Sequence, residues 1–279
     1  MSGVSQDLIQ KLQEQARLLR CDVLEMVYRA QSGHLGGSFS AADIVSALFF
    51  HHMKIDPQNP QWADRDRFIP SKGHAAPILY AALAHKGYFP REDLWNLRQI
   101  GSHLQGHPDM NKTPGVDMTS GSLGQGFSTG LGMALAAQLN NQDYHVYALL
   151  GDGELNEGEI WETAMAAPRF KAYNLIAIVD YNKVQLDGTL EEIMPVDPLK
   201  EKWEAFNWHV IEIDGHDMGQ IVAALEEAVA LKDRCVCIIA NTVKGKGVSF
   251  MEGRHEWHGA PPNEEQYKQG MEELGGAGS

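Results

Sequence analysis

The second half of the chain alternates short apolar runs with segments of helical periodicity. After Asn140 the apolar runs have the length of β-strands, at residues 145–150, 175–179, 208–213 and 236–243. Helices are predicted to begin between them, at Glu159 and Met218. This alternation is typical of a parallel sheet covered by helices on both faces. The sequence therefore predicts an α/β fold.

The first half of the chain is dominated by predicted helices. Apolar residues at helical spacing predict one long amphipathic helix over residues 5–30. Ser40 and Asp43 form a capping-box pattern, which predicts that a second helix begins just before Ile44. Further helices are predicted at residues 75–85, 91–99 and 125–140.

Length and composition restrict the class of protein. The chain has 279 residues, of which 43% are apolar and 22% are charged, values typical of folded globular proteins. The sequence contains no internal repeat, low-complexity tract or linker. We therefore expect one domain over residues 1–279, with a core over about residues 5–265 and a frayed tail from about Glu272.

The charge balance argues against two classes of partner. The sequence has 23 Lys and Arg against 37 Asp and Glu, a net charge of −14, so neither nucleic acid nor an anionic membrane is expected to bind. Charged residues interrupt the leucines of the N-terminal segment, so no signal peptide is expected and a cytoplasmic location is predicted. Cys21, Cys235 and Cys237 are interpreted as reduced core residues, with zinc binding as the alternative.

Two polar loops follow neighbouring predicted strands. Asp152 lies between Gly151 and Gly153 after the first run, and Asn182 follows the next run, 30 residues later. Because the carboxyl ends of parallel strands meet at one edge, Asp152 and Asn182 can lie side by side. Glycine lets backbone amides approach an anionic oxygen, and Mg²⁺ prefers carboxylate, amide and phosphate oxygens. The spacing therefore favours a site for a divalent cation and a diphosphate over a purely structural turn.

With these motifs, the chain resembles the amino-terminal, diphosphate-binding half of transketolase in the form encoded as a separate subunit. The Gly-Asp-Gly turn and Asn182 match the thiamine-diphosphate motif of that family. Five further segments match in order: Ser32-Gly33-His34, Ser71-Lys72-Gly73-His74, Gly106-His107-Pro108, Gly121-Ser122-Leu123-Gly124-Gln125-Gly126 and His258-Gly259-Ala260-Pro261. The likeness runs from about residue 15 to residue 265.

The resemblance implies thiamine diphosphate and a divalent cation as cofactors, the cation being Mg²⁺ or alternatively Ca²⁺ or Mn²⁺. The implied metal ligands are Asp152, Asn182 and the backbone oxygen of Val184. Glu157 resembles a buried family glutamate that links the two active sites of a dimer. The residues implied to bind the cofactor are His74, Gly121, Ser122, Leu123, Asp152, Gly153, Glu157, Asn182 and His258.

The resemblance also implies that histidines hold the sugar. His34, His107 and His258 match catalytic histidines of the family, and imidazole can donate and accept hydrogen bonds near neutral pH. His107 is implied to contact the hydroxymethyl oxygen of the donor, and the other two to contact oxygens near the reacting bond. The roles of His103 and His255 stay open. Residues 244–247 form either a mobile basic loop that reaches phosphate or a solvated turn.

The implied activity is transfer of a two-carbon ketol unit from a ketose phosphate to an aldose, by default in the pentose phosphate pathway. In transketolases a glutamate of the following pyrimidine-binding domain activates the cofactor, and no such domain follows residue 265 here. We therefore expect the partner to be a separate C-terminal transketolase subunit, in an assembly of two copies of each. Sugar phosphates are the expected substrates.

Three alternatives compete with this interpretation. A related ketol- or acyl-transferring synthase subunit, such as one of deoxyxylulose-phosphate synthase, is disfavoured by residues 66–74 and 121–126, which resemble transketolase. A nucleotide-binding module is disfavoured because the sequence has neither a Gly-x-x-x-x-Gly-Lys-Ser/Thr nor a Gly-x-Gly-x-x-Gly motif. A catalytically silent scaffold stays open, although Asp152, Asn182 and the channel histidines argue against it.

Overall fold

The computed structural model describes residues 4–276, and its centre is a five-stranded sheet of order β1-β2-β3-β5-β4. The strands are β1 (Arg67–Pro70), β2 (Val146–Gly151), β3 (Leu175–Tyr181), β4 (His209–Asp214) and β5 (Val236–Asn241). Every pairing is parallel, so the carboxyl ends of all five strands lie at one edge. The predicted α/β class with a parallel sheet is confirmed.

Helices pack on both faces of the sheet. The helices are α1 (Gln6–Ala30), α2 (Gly36–Ser40), α3 (Ala42–Ala47), α4 (Ala76–Lys86), α5 (Gln125–Leu139), α6 (Gly158–Arg169), α7 (Leu190–Ile193), α8 (Leu199–Ala205), α9 (Met218–Ala230) and α10 (Glu264–Glu273). Alternate strand residues enter two separate cores, because side chains of a strand point to opposite faces. Leu149 and Ile178 join the core with α1, α3, α4 and α9. Ala148 and Val179 join the core with α5, α6 and α8.

The chain remains ordered past the predicted end of the core. Asn263 and Gln266 form a capping box that starts α10, and the Tyr267 ring stacks on Tyr28 with centroids 4.2 Å apart. Leu274 is buried. The predicted frayed tail is therefore wrong from Glu272 to residue 276, because an amphipathic final helix packs on α1. Gly278, also part of the predicted tail, lies outside the described residues.

Two local predictions are also wrong, and one strand was not predicted. Ser40 and Asp43 do not cap a helix, because Ser40 Oγ donates to Asp180 and Asp43 pairs with Arg20. Only residues 91–96 of the predicted helix 91–99 are helical, as a 3-10 helix. Strand β1 escapes prediction because it has only four residues and ends in Pro70.

The cysteines behave as the sequence predicts. All three are free and buried, and Cys235, the residue before β5, lies in the same core as Cys237 within that strand. Between residues 4 and 276, none of the helices combines the length and the apolar character needed to cross a membrane.

The aromatic cluster in the core shared with α5, α6 and α8 should contribute strongly to stability. Trp203 is fully buried, with its ring 5.0 Å from Trp208 and 5.9 Å from Phe127 between centroids. We expect Trp203→Ala to lower the free energy of unfolding by about 3–5 kcal/mol, because it removes a large buried side chain. Phe170→Ala is the matched control, since Phe170 is 55% exposed and should change stability by less than about 0.5 kcal/mol. Urea denaturation measures both, and equal effects would contradict the prediction.

Candidate active site

A cavity of about 270 Å³ opens at the carboxyl edge of the sheet. It lies beyond the ends of β2 and β3, where ligands bind in open parallel sheets. Nine of the predicted site residues line it: His74, His107, Gly121, Leu123, Asp152, Gly153, Asn182, Val184 and His258. The sequence therefore identified most of this cavity wall.

Oxygen donors from two loops converge on one side of the cavity. Gly151 pairs with Asp180 across β2 and β3, which brings the residues after each strand together. The Asp152 carboxylate accepts hydrogen bonds from the backbone N–H groups of Gly153 at 2.8 Å and Lys183 at 2.5 Å. Burial, together with the charge of Asp180, raises the pKa of Asp152 to about 7. A buried carboxylate held by backbone N–H groups alone, as Asp152 is among the described residues, favours a bound cation.

The neighbouring loop presents the other two donors. Asn182 Oδ1 accepts from the Val184 backbone N–H at 3.1 Å, so the asparagine and the Val184 backbone are held together. Carboxylate, amide and carbonyl oxygens are the ligands that Mg²⁺ and Ca²⁺ take in proteins. Asp152, Asn182 and the Val184 carbonyl therefore fit a hard divalent cation. The donor set does not fit zinc, which prefers sulfur and nitrogen ligands.

A buried ion pair, which the sequence did not reveal, underlies these loops. Lys72 Nζ donates to the Asp180 carboxylate and to the Gly37 carbonyl, the latter at 2.8 Å. Asp180 also accepts from the hydroxyls of Ser40 and Thr242. Burial opposes ionisation of Asp180, but Lys72 and the hydroxyl groups keep its pKa below the usual value. Asp180 is therefore a buried anion that binds side chains from three other chain segments.

Glu154 is a second buried carboxylate that sequence analysis missed. It accepts from Ser71 Oγ at 2.5 Å, from the Gly124 N–H at 2.8 Å and from the Gly151 N–H at 2.9 Å. These donors belong to three different segments of the cavity wall. Burial raises the pKa of Glu154, and its three hydrogen bonds act in the opposite direction. In the sequence, only the position of Glu154 next to Gly153 in the turn indicated that it belongs to the site.

The loop at residues 121–123 lies directly against the segment that carries His74. A Cβ atom at Gly73 would lie 2.6 Å from the Gly121 nitrogen, so only glycine permits this approach. Ser122 is exposed and does not line the cavity, whereas its neighbours do. Backbone amides in a glycine-rich loop of this kind can approach an anionic oxygen closely.

Three histidines form a cluster beside the cation donors. The ring centroid of His34 lies 5.3 Å from that of His74 and 5.4 Å from that of His258. Burial, followed by the charges of Arg98, His107 and Lys244, lowers the pKa of His34 to about 4. A histidine with such a pKa is neutral near pH 7, so it can both donate and accept hydrogen bonds.

The pKa values of the other two rings are depressed in the same way. Burial and then Lys244 lower the pKa of His258 to about 3, and burial and then His258 lower the pKa of His74 well below its usual value. A histidine with such a pKa is a weak base, so hydrogen-bond orientation suits this cluster better than proton storage. His107 lines the cavity at its exposed mouth, and the partial burial of its ring, followed by the charge of Arg98, lowers its pKa.

The 244–247 segment is a turn whose two lysines lie in different environments, so neither interpretation describes all of it. Lys244 is buried and lines the cavity, so it does not belong to a solvated turn. Its Nζ donates to the Val184 carbonyl at 2.9 Å and contacts His258 Nδ1 at 3.0 Å. Burial lowers the pKa of Lys244 to about 8. Lys246 instead pairs with Glu252 at the surface.

Some predicted site residues lie outside the cavity wall. His34 contacts the wall through His74 and His258, while His103 and His255, whose roles the sequence left open, do not line it. Glu157 is exposed, at the N-cap position of α6. The predicted role of Glu157 concerns an interface between chains, so it stays a prediction.

The buried position of Glu154 generates a prediction with a matched control. We expect Glu154→Gln to lower the free energy of unfolding by about 1–3 kcal/mol, because an amide replaces one oxygen that accepts from N–H groups. Glu157→Gln changes the same atoms three residues away on the surface and should leave the stability of the chain unchanged. Thermal and urea denaturation of both variants measure the difference. Equal stability of the two variants would contradict the role of Glu154.

The parallel sheet, the oxygen donors at its carboxyl edge and the glycine loop beside them are typical of a protein that binds a diphosphate. Residues 10–278 match the family described as transketolase, thiamine diphosphate binding domain. The chain belongs to this family.

Similar proteins agree with this assignment. The chain is 50% identical over 263 residues to 6-deoxy-6-sulfo-D-fructose transketolase subunit SqwG of Clostridium sp. (strain MSTE9), covering 94% of this chain and 96% of the relative. It is 41% identical over 266 residues to an apulose-4-phosphate transketolase subunit of Phocaeicola vulgatus, covering 95% of this chain and 94% of the relative. Both relatives are named as subunits, so the chain is an enzyme subunit of the transketolase type, corresponding to the N-terminal part.

Solved structures show the same fold. The crystal structure of transketolase from Campylobacter jejuni superimposes with a TM-score of 0.90 at 39% identity, covering 96% of this chain and 43% of that chain. Transketolase from Leishmania mexicana superimposes with a TM-score of 0.90 at 35% identity, covering 95% of this chain and 41% of that chain. This chain thus spans less than half the length of these transketolases.

Proposed function

We propose that this chain holds the diphosphate end of thiamine diphosphate, with Mg²⁺, in a split transketolase that moves a two-carbon ketol unit from a ketose to an aldose. The observation that carries the proposal is the convergence of Asp152, Asn182 and the Val184 carbonyl beside the glycine loop. Bound thiamine diphosphate supplies the carbon that takes up the two-carbon unit and stabilises the negative charge that develops there. The residues of this chain bind and orient the cofactor and the sugar, and they neutralise the charge of the diphosphate.

The cation site is proposed to consist of Asp152, Asn182 and the Val184 carbonyl. These oxygens would hold Mg²⁺, which would neutralise part of the negative charge of the diphosphate. Ca²⁺ or Mn²⁺ can take the same ligands. Gly153 and the loop at residues 121–123 offer backbone amides to phosphate oxygens. Lys244 adds positive charge in the wall of the same cavity.

The histidines are proposed to handle the sugar. His34 and His258 are neutral and lie next to each other, so they can hold hydroxyl and carbonyl oxygens by donating and accepting. His107 lies at the cavity mouth, where a hydroxymethyl oxygen of the donor would enter. Because His107 is exposed whereas the clustered rings are half-buried, His107 is the better group for moving a proton.

A second subunit with a pyrimidine-binding domain is the proposed partner, in an assembly of two copies of each chain. The names of the relatives as subunits support a partner. Exposed Glu157 and Ser122 lie close to the cavity and are available to such an interface. The whole chain acts as one diphosphate-binding domain in this proposal. Three reduced cysteines are typical of a protein in the cytoplasm, which is the proposed location.

The proposed donor is a ketose with an anionic terminal group. Ketose phosphates of the pentose phosphate pathway are one class. The 50% identity to a subunit named for 6-deoxy-6-sulfo-D-fructose favours that sulfonate as a second candidate. Comparing kcat/KM for fructose 6-phosphate and for the sulfonate with the reconstituted enzyme decides between them.

Asp152 provides the direct test of the cation site. We expect Asp152→Asn to weaken magnesium-dependent binding of thiamine diphosphate by at least about 100-fold, because the anionic ligand is lost. Asp187→Asn, in the exposed loop after β3, is the control and should bind normally. Calorimetric titration of the chain with its partner subunit, with and without Mg²⁺, measures both. Unchanged affinity in Asp152→Asn would overturn the metal assignment.

His107 tests the sugar-binding role. We expect His107→Ala to lower kcat/KM for the donor ketose by about 10- to 100-fold, while the affinity for thiamine diphosphate changes less than about two-fold. His209→Ala is the control, because His209 lies at the opposite edge of the sheet and pairs with Glu227. Steady-state kinetics and calorimetry separate the two effects. Equal losses in donor turnover and cofactor affinity would contradict a substrate role.

A further inference from the structure

Arg98 is a half-buried cation behind the histidine cluster. Within residues 4–276 it has no carboxylate partner at ion-pair distance, unlike the buried Arg20, which pairs with Asp43. Its backbone has a φ of 59°, in the left-handed region that residues other than glycine seldom adopt. The Arg98 N–H donates to the Leu104 carbonyl at 2.8 Å, which fixes this conformation. A buried charge without a counterion needs hydrogen-bond acceptors.

The acceptors of Arg98 belong to the two segments that carry predicted catalytic histidines. Nη1 donates to Ser32 Oγ at 2.9 Å, and Nη2 lies 3.3 Å from His34 Nδ1. Nη2 also lies 3.5 Å from the Gly106 carbonyl, in the residue before His107. A Cβ at Gly106 would lie 3.0 Å from Arg98 Cζ, so the guanidinium packs tightly on that segment. One side chain therefore connects the surroundings of His34 and His107.

The contact with Nδ1 determines the tautomer of His34. A guanidinium only donates, so His34 Nδ1 must accept and the ring proton must reside on Nε2. Nε2 lies on the other side of the ring, 3.5 Å from where a Cβ of Gly259 would be. His258 shows the same arrangement, because Lys244 Nζ contacts its Nδ1 at 3.0 Å. Two neighbouring histidines thus each have a cationic donor at Nδ1.

Resting on the proposed sugar-binding function, we propose that Arg98 is a positioning residue: it holds His34 as the Nε2–H tautomer and fixes it relative to the segment that carries His107. Arg98 does not line the cavity, so it acts through the two histidines. Its charge also disfavours protonation of both imidazoles. The charged and titratable groups that face His34 are Arg98, His74, His107, His258 and Lys244.

Kinetics of the reconstituted enzyme test this role. Arg98→Met keeps most of the length of the side chain but removes its donors and its charge, and it should lower kcat/KM for the donor by about 10- to 100-fold. The affinity for thiamine diphosphate should change less than about two-fold, because the cation ligands are untouched. Arg98→Lys should recover part of the activity, since it keeps the charge and a donor. Arg234→Met, in an exposed ion pair at the surface, is the matched control.

A measurement on the chain itself separates this inference from the proposed function. The pH titration of His34, followed by NMR of histidine-labelled protein and assigned with His34→Gln, reports the Arg98 contact without any catalysis. Its midpoint should rise in Arg98→Met and stay low in Arg98→Lys. If the wild-type complex shows no ketol transfer but the midpoint rises, the proposed function fails and the contact stands. An unchanged midpoint, or unchanged kcat/KM in an active complex, would overturn the positioning role.

Discussion

The carboxylate of Asp180 is the interaction on which the architecture of the site depends. It lies at the end of the central strand β3 and is completely buried. Its partners come from the segment after β1, from α2 and from the end of β5. A buried ion pair adds little net stability, but removal of one partner leaves an uncompensated charge at considerable cost. The ion pair between Lys72 and Asp180 therefore determines how these segments pack together, and it contributes less to the free energy of unfolding.

This arrangement explains how one cavity holds opposite charges close together. Lys72 neutralises Asp180, which leaves the neighbouring Asp152 as the anion available to a cation. Burial keeps the pKa values of His34 and His258 low, and the charges of Arg98 beside His34 and of Lys244 beside both rings lower these values further. The cavity thus separates an oxygen-rich side suited to a metal ion from a side of neutral imidazoles suited to hydroxyl groups. Both sides depend on positively charged side chains that are buried or half-buried in the fold.

Local patterns in the sequence predicted the features that local physics determines. Periodicity indicated the long helix α1 and four of the five strands, and the Gly-Asp-Gly turn with Asn182 located oxygen donors that line the cavity. The capping-box prediction at Ser40 and Asp43 was wrong because both side chains bind residues far away in the sequence, Asp180 and Arg20. The buried roles of Glu154, Lys72 and Asp180 were missed for the same reason. Their main partners lie far away in the sequence, so no local pattern indicates that they are paired.

The residues proposed for the diphosphate side of the site are buried, whereas those at its rim are exposed. The cation donor Asp152 and the lysines behind it are almost completely buried, so this chain alone builds the side proposed for the diphosphate. His107, Ser122 and Glu157 are instead exposed at the rim. Leu186, which lines the cavity, is 58% exposed, an unusual position for a leucine beside a polar site. In the proposed function, the buried side holds the diphosphate end of the cofactor, and the exposed rim is where the proposed partner subunit completes the sugar site. A change of sugar would then involve the partner's surface and the rim, because the buried charges around Asp180 hold the fold of the site together.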